Sequence, residues 1–218
     1  MISLDNRLKT AAALCRRGVT VCDVGTDHAL LACHLAMNGA KDVIASDIND
    51  GPLEAARETV IRTGVKNVRV LKSDGLKNID FADDVIICGM GGELIADIIA
   101  GCCFLSADTR FILQPMTKAE LLRHRLYSDG FEITEERTAY DGKRAYVIML
   151  VRYTGEHHDI SELEAYTGKV TDAKFLKLTA EKLLKNASRM EQSDNFGDEA
   201  KALRSLAEEI LKKAEDIS

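Results

Sequence analysis

Apolar positions along this chain fall into two textures. Through the first two thirds, short apolar runs rich in Val and Ile alternate with stretches of helical spacing. The runs at 19–24, 43–47, 68–74, 84–88 and 110–114 read as strands, the last ended by Pro115. Helical spacing recurs at 28–37, 51–63, 93–100 and 118–128, with Gly51-Pro52 opening one helix and Gly130 closing another. Residues 4–15 form an amphipathic helix beside the expected ligand cleft, with Asp5 in its first turn. Two further strands, 131–137 and 145–152, flank a hairpin-like turn at Asp141-Gly142. Five β–α alternations followed by a hairpin predict a seven-stranded, mostly parallel α/β sheet with one antiparallel strand, Rossmann-like in layout.

After Tyr153-Thr154-Gly155 the strand patterns stop. A short helix at 160–166 and two long amphipathic ones at 170–190 and 199–217 follow, joined by a turn at 191–198. Neither long helix can bury its stripe alone, so the two form an antiparallel hairpin. The expected division is therefore a domain at 1–155 and a helical arm at 156–218.

Charge changes the picture of the arm. The chain of 218 residues carries a formal net charge of −6. That argues mildly against a general nucleic-acid coat protein and leaves room for a local basic face. Such a face is expected on the helix at 170–190, where Lys174, Lys177, Lys182, Lys185 and Arg189 lie opposite Leu176, Ala180, Leu183, Ala187 and Met190. A solvated surface is the bland reading of such a stripe, and a hold on a polyanion is the functional one. The six cysteines show no Cys-x-x-Cys spacing, so reduced thiols packed in apolar segments are expected and no metal site. No apolar run reaches the roughly 20 residues of a membrane span. The N-terminal Met-Ile-Ser-Leu-Asp-Asn-Arg lacks a signal peptide's apolar segment, so a cytoplasmic location and no membrane partner are expected.

The candidate chemistry sits at strand ends. Asp23-Val-Gly25 ends the first strand, and a lone Gly25 replaces the Gly-x-Gly-x-x-Gly of a pyrophosphate site. The turn instead offers acids, Asp23 and Asp27, which suit a cofactor with a cationic amine and sulfonium: S-adenosylmethionine. Asp47 ends the second strand about 20 residues later, where an acid can accept two ribose hydroxyls. Ile48 and His28 fall beside these acids in the same pocket, and Asp27 is equally placed to cap the helix that follows. Asp74-Gly75 follows the third strand, and Gly89, Met90, Gly91 and Gly92 follow the fourth.

The segments Asp23-Val-Gly-Thr-Asp-His-Ala, Asp47-Ile-Asn-Asp-Gly-Pro-Leu, Ser73-Asp-Gly-Leu, Cys88-Gly-Met-Gly-Gly and Ile112-Leu-Gln-Pro, followed by a helical hairpin, resemble the bacterial tRNA (adenine(22)-N(1))-methyltransferase family along essentially the whole chain. The resemblance implies a class I S-adenosylmethionine-dependent enzyme acting on tRNA. It places Gly25, Asp47, Asp74 and Gly75 at the cofactor, where Asp23, Asp27, His28, Ile48, Gly89 and Met90 are also expected. Gly89–Gly92, Gln114 and Pro115 are then expected to hold the target base, with Asp27 the candidate acid near the reacting groups. No obligate protein partner is implied. Two alternatives remain at this point: a methyltransferase for another RNA or a small molecule, and a non-catalytic cofactor-binding protein whose arm dimerises.

Overall fold

The computed structural model describes residues 2–192 and 197–217, in two compact units, 1–158 and 159–218. The first unit is built on one seven-stranded sheet of order β3-β2-β1-β4-β5-β7-β6. Its strands are β1 (Thr20–Val24), β2 (Asp42–Asp47), β3 (Val68–Lys72), β4 (Asp84–Gly91), β5 (Arg110–Thr117), β6 (Phe131–Asp141) and β7 (Arg144–Tyr153). The first five run parallel, and β7 pairs antiparallel with both β5 and β6. The helices are α1 (Asn6–Ala12), α2 (Leu30–Met37), α3 (Asp50–Thr63), α4 (Gly92–Ala100) and α5 (Ala119–Ser128).

The strands are buried on both faces, so Val21, Val43, Val85, Ile86, Ile87, Phe111, Ile112 and Leu113 are almost fully removed from water. Continuous apolar runs of this kind belong to parallel sheets covered on both sides. Phe111 meets Phe131 edge-on at 5.7 Å between ring centroids, under the turn into β6. In β6, a bulge between Ile133 and Glu135 lets the strand continue to Asp141, and Gly142 at φ +58° turns the hairpin into β7.

Two of the parallel strands, like β6, overrun their expected ends. Pro115 does not stop β5: its ladder with β7 ends at Leu113↔Met149, so a residue without an N–H is tolerated beyond that point. Strand β4 likewise runs through the glycines to Gly91, with breaks in register on either side of Met90. The glycine run is therefore a kinked strand end rather than a separate turn. Helix α2 starts at Leu30, two residues later than expected, and Pro52 lies inside the first turn of α3 rather than at its first residue.

The second unit holds α6 (Glu162–Thr167), α7 (Ala173–Met190) and α8 (Gly197–Ile217). Ser161 and Glu164 form a reciprocal capping box on α6, and Asp172 caps α7 by accepting the Lys174 and Phe175 N–H groups. Leu176, Ala180, Leu183 and Ala187 of α7 bury against α8, which contributes Ala200, Leu206, Ala207, Ile210 and Ala214. Arg204 of α8 grips both carboxylate oxygens of Glu191 at 2.7 Å and holds that carboxyl below its usual range. Lys213 donates to the Thr167 hydroxyl at 2.7 Å, tying α8 to α6. Ile217 is exposed instead of buried on the stripe. The turn expected at 191–198 falls partly on residues 193–196, outside the described residues.

Candidate active site

In an open parallel sheet, ligands bind beyond the carboxyl ends of the strands where the strand order reverses. Here that point lies between β1 and β4. Gly25 leaves β1 at φ +71°, and a side chain on it would run into the methyl of Met90 near the end of β4. The two strand ends thus close on each other, and glycine keeps the backbone of the turn bare.

The turn after β1 is held by β2. The Ser46 carbonyl accepts both the Gly25 N–H (2.8 Å) and the Thr26 N–H (2.9 Å). Asp23 is buried, accepts the Thr26 hydroxyl at 2.6 Å and accepts the Ala32 N–H in the first turn of α2. This carboxylate, nine residues upstream, performs the capping that the sequence offers to Asp27. Burial pushes the Asp23 carboxyl up to about 6, against the hydrogen bonds from Thr26 and Ala32 that lower it. Asp23 therefore braces the turn from behind, buried under it rather than exposed at its surface.

Asp27 is left projecting. Its carboxylate is 70% exposed, 3.6 Å from His28 Nε2, and its backbone lies at φ +50°, as does Ala29 at φ +53°. Helix α2 receives no side-chain cap from Ala29, so Asp27 is free of the capping role. Left-handed residues that carry a side chain are costly and persist where the surroundings fix them.

The β2 end supplies the next pair. Asp47 Oδ1 accepts the Asn49 N–H at 2.9 Å, which fixes the carboxylate within its loop and leaves Oδ2 for a ligand. Ile48 beside it is 52% exposed, an apolar surface where a planar base can lie. After β3, Ser73 donates to the Gly75 carbonyl at 2.8 Å, and Gly75 turns at φ +58° with its Cα against Ile98. Asp74 is exposed and paired with Lys77. A bare turn, a fixed ribose-type acid, an exposed aliphatic and a second acid fit an adenosyl group carrying a cationic amine.

Across the switch point the expectations change more. Gln114 is completely buried. Its Oε1 accepts Arg7 Nη1 (2.7 Å) and the Gly89 N–H (3.1 Å), and its Nε2 donates to the Pro115 carbonyl (2.8 Å). Both ends of the amide are committed, so it holds the strand ends rather than reading a base. Pro115 is buried beside it. Arg7 is a residue at these strand ends that the pattern does not reveal: it reaches from α1 to Gln114, to Asp5 at 3.2 Å and over the Tyr146 ring at 5.9 Å. Gly89, at φ +85°, is exposed with its Cα turned toward the Arg7 guanidinium. Gly91 lies near the Thr117 hydroxyl, while Gly92 is buried and a side chain there would strike the Lys118 carbonyl. Gly92 therefore serves the packing of α4 on the β5–α5 turn, and only Gly89, Met90 and Gly91 remain at the cleft.

In the second unit Lys174, Lys177, Lys182, Lys185 and Arg189 are all exposed, opposite the buried stripe of α7. The apolar faces of α7 and α8 cover each other.

All six cysteines are unpaired. Cys22 and Cys33 are buried, but Cys103 is exposed, contrary to expectation. Burial pushes the Cys22 thiol up to about 12 and raises Cys15 and Cys88 further, which keeps them as thiols. Among the described residues no group of three or more His, Cys, Asp or Glu side chains could hold a metal ion, and no helix is long and apolar enough to cross a membrane.

This sheet order, with a bare glycine turn after β1 and an acid at the end of β2, defines a class I methyltransferase domain. Residues 4–149 match the family model described as a methyltransferase domain. The tRNA (adenine(22)-N(1))-methyltransferase of Bacillus subtilis is 33% identical over 99% of this chain and 98% of its own length. The crystal structure of the B. subtilis m1A22 tRNA methyltransferase TrmK superposes with a TM-score of 0.79 at 27% identity, covering 100% of this chain and 99% of that one. A Streptococcus pneumoniae protein solved in complex with S-adenosyl-L-methionine gives 0.80 at 27% identity, over 97% and 100%. The chain belongs to the tRNA (adenine(22)-N(1))-methyltransferase family.

Proposed function

We propose that this protein methylates N(1) of adenine 22 in tRNA, with S-adenosylmethionine as the methyl donor. The observation that carries the reading is the end-to-end match to a tRNA (adenine(22)-N(1))-methyltransferase in both units, including the helical hairpin. The acid-lined turn supports it independently, since carboxylates suit a cationic cofactor and would repel a pyrophosphate.

Bound S-adenosylmethionine supplies an electrophilic methyl on sulfonium sulfur. Asp47 accepts its ribose hydroxyls through the oxygen not used by Asn49, and Ile48 offers a face for its adenine, with Asp74 and Gly75 at the ring edge. Gly25 lets the backbone approach, and Asp27 and His28 border the charged end. Adenine N(1) carries an in-plane lone pair and no proton, so no residue must act as a base. What the chain contributes is position, and correct orientation alone is worth several kcal/mol. The exposed Asp27 carboxylate can also offset the positive charge that develops on the purine. Gly89, Met90 and Gly91, held by Gln114 and Arg7, form the floor on which a base flipped from its stack would rest. The exposed cations of α7 offer a hold on RNA phosphates.

The test is transfer of labelled methyl to unmodified tRNA followed by nucleoside analysis. The expected product is 1-methyladenosine, lost when adenine 22 is replaced by guanine. Cofactor binding with no labelled tRNA, or methylation that survives the replacement, overturns the substrate assignment.

A further inference from the structure

A second basic feature lies on the catalytic unit and plays no part in the site above. Between α1 and α2 there is a cavity of about 370 Å³ lined by Lys9, Arg16, Arg17, His34 and Asn38, with no acidic residue in its walls. It sits at the amino ends of β1 and β2, where the Gly18 N–H meets the Gly39 carbonyl at 2.7 Å and the Arg17 stem lies against Gly39. The rest of the lining is apolar, from Ala12, Ala13, Cys15, Leu35 and Ala40, so in a protein of net charge −6 every charged group in these walls is basic.

The cations divide by employment. Arg16 is committed: it binds the fully buried Asp84 at 2.7 Å and the carbonyls of Asp83 and Asp108. Arg110 also binds Asp84, so that one acid is shared between Arg16 and Arg110 and makes no ion pair with Lys9 or Arg17. Lys9 and Arg17 are exposed and make no hydrogen bond or ion pair among the described residues, and His34 offers a half-buried ring. Lys9 and His34 lie in the last turns of their helices, where a cation answers the dipole. Each helix end carries only about half a unit of negative charge, so two full cations leave the cavity positive. It has room for a tetrahedral anion between point charges and the Asn38 face.

Helix α1 links this cavity to the cleft. Its first turn carries Arg7, bound to Gln114 beside Gly89, and its last turn carries Lys9. Arg7 and Lys9 are two residues apart, a rise of about 3 Å, on a helix that spans about 10 Å in all. A polyanion whose base enters the cleft and whose backbone follows α1 would bring a phosphate to Lys9 and Arg17.

We infer that the cavity between α1 and α2 binds a backbone phosphate of the RNA substrate and so fixes the register of the target base. This rests on the tRNA reading of the cleft. Phosphate contacts of this kind carry position without sequence.

The test neutralises the two uncommitted cations together, Lys9→Gln with Arg17→Gln. Arg57→Gln, on α3 outside the cavity, serves as the control for general charge. Expected for the double variant are an approximately tenfold weaker tRNA affinity and a salt dependence of log K shallower by roughly 2. KM for tRNA should rise, kcat at saturating tRNA should hold, and S-adenosylmethionine affinity should stay at the wild-type value. If its tRNA affinity and salt slope match those of the control while wild-type protein methylates tRNA, the inference is wrong and the function stands. If the double variant loses pyrophosphate binding by calorimetry yet keeps tRNA affinity, the cavity takes a free anion and the inference is overturned. Wild-type protein that binds cofactor but neither binds nor methylates tRNA would sink the tRNA reading itself, and this inference with it.

Discussion

Gln114→Leu separates a residue that holds the cleft from one that touches substrate. The change keeps the volume close and removes a buried amide whose three hydrogen bonds join α1, β4 and β5. The bond from Arg7 is charge-assisted, worth about 1.5–3 kcal/mol, and the two neutral bonds contribute about 1 kcal/mol each. The loss is about 3–5 kcal/mol, since the Gly89 N–H and the Pro115 carbonyl are left without their partner. For a unit of this size that lowers Tm by about 2–4 °C per kcal/mol, or about 6–20 °C in all. The assay pairs thermal unfolding by circular dichroism with steady-state methylation. Because Gly89 and Met90 lose their support, kcat/KM for tRNA should fall at temperatures well below Tm. Cofactor affinity, set at the ends of β1, β2 and β3, should change little. A variant with wild-type Tm and wild-type kcat/KM would refute the bracing argument. Wild-type Tm with a large rise in KM for tRNA would instead put the Gln114 amide on the substrate.

Three further outcomes follow from the same geometry. Asp47→Ala should weaken S-adenosylmethionine binding by about tenfold or more, since a charge-assisted bond to ribose is worth about 1.5–3 kcal/mol; calorimetry that finds no change removes Asp47 from the site. Asp23 has a folded-state value pushed up to about 6 from 3.8, so the native state holds the extra proton and stability falls as pH rises through that window. Asp23→Asn abolishes this slope: its stability relative to wild type, measured by urea unfolding, should improve between pH 4 and pH 7 by up to roughly 3 kcal/mol, and a flat difference contradicts the burial argument. Replacing Lys177, Lys182 and Lys185 together by Glu should weaken tRNA binding and leave cofactor binding intact; unchanged RNA affinity would return the α7 stripe to being a solvated surface.

The element order was legible because each signal is local. Alternating runs of Val and Ile, the Pro and Gly punctuation and the opposed stripes of α7 and α8 each sit within one window of sequence. The position of Asp47 at the end of β2, with Ile48 exposed after it, was legible for the same reason. What sequence hid was non-local. Asp23 reads as a ligand because it ends β1, but its partner is a helix N–H that only the packing of α2 brings to it. Asp27 reads as a cap because caps are chosen by proximity, yet the cap came from the neighbouring strand. Gln114 and Arg7 are 107 residues apart, and no spacing rule connects them. Gly92 looks like the rest of its glycine run, and only the approach of Lys118 separates its purpose from theirs. An arginine on a short amphipathic helix, near its buried side, was the one available hint of Arg7.

Backbone strain gives an independent reason to place the chemistry at this edge. Among the described residues, the non-glycine positions with positive φ are Asp27, Ala29 and Lys118. Two follow β1 and one follows β5, so all three lie at the carboxyl ends of strands that flank the glycines of β4. Each costs on the order of 1–3 kcal/mol, and an unconstrained loop would relax them. They do not relax because each is fixed from outside itself. Ser46 takes two N–H groups of the first turn, Asp23 ties Thr26 to α2, and the Lys118 carbonyl is pressed against Gly92. The buried strands beneath are what make those restraints rigid. A reaction that needs no base and no metal from its protein still needs a methyl, a ring nitrogen and a sulfur in line. Loops prevented from relaxing are how a sheet of this kind supplies that alignment.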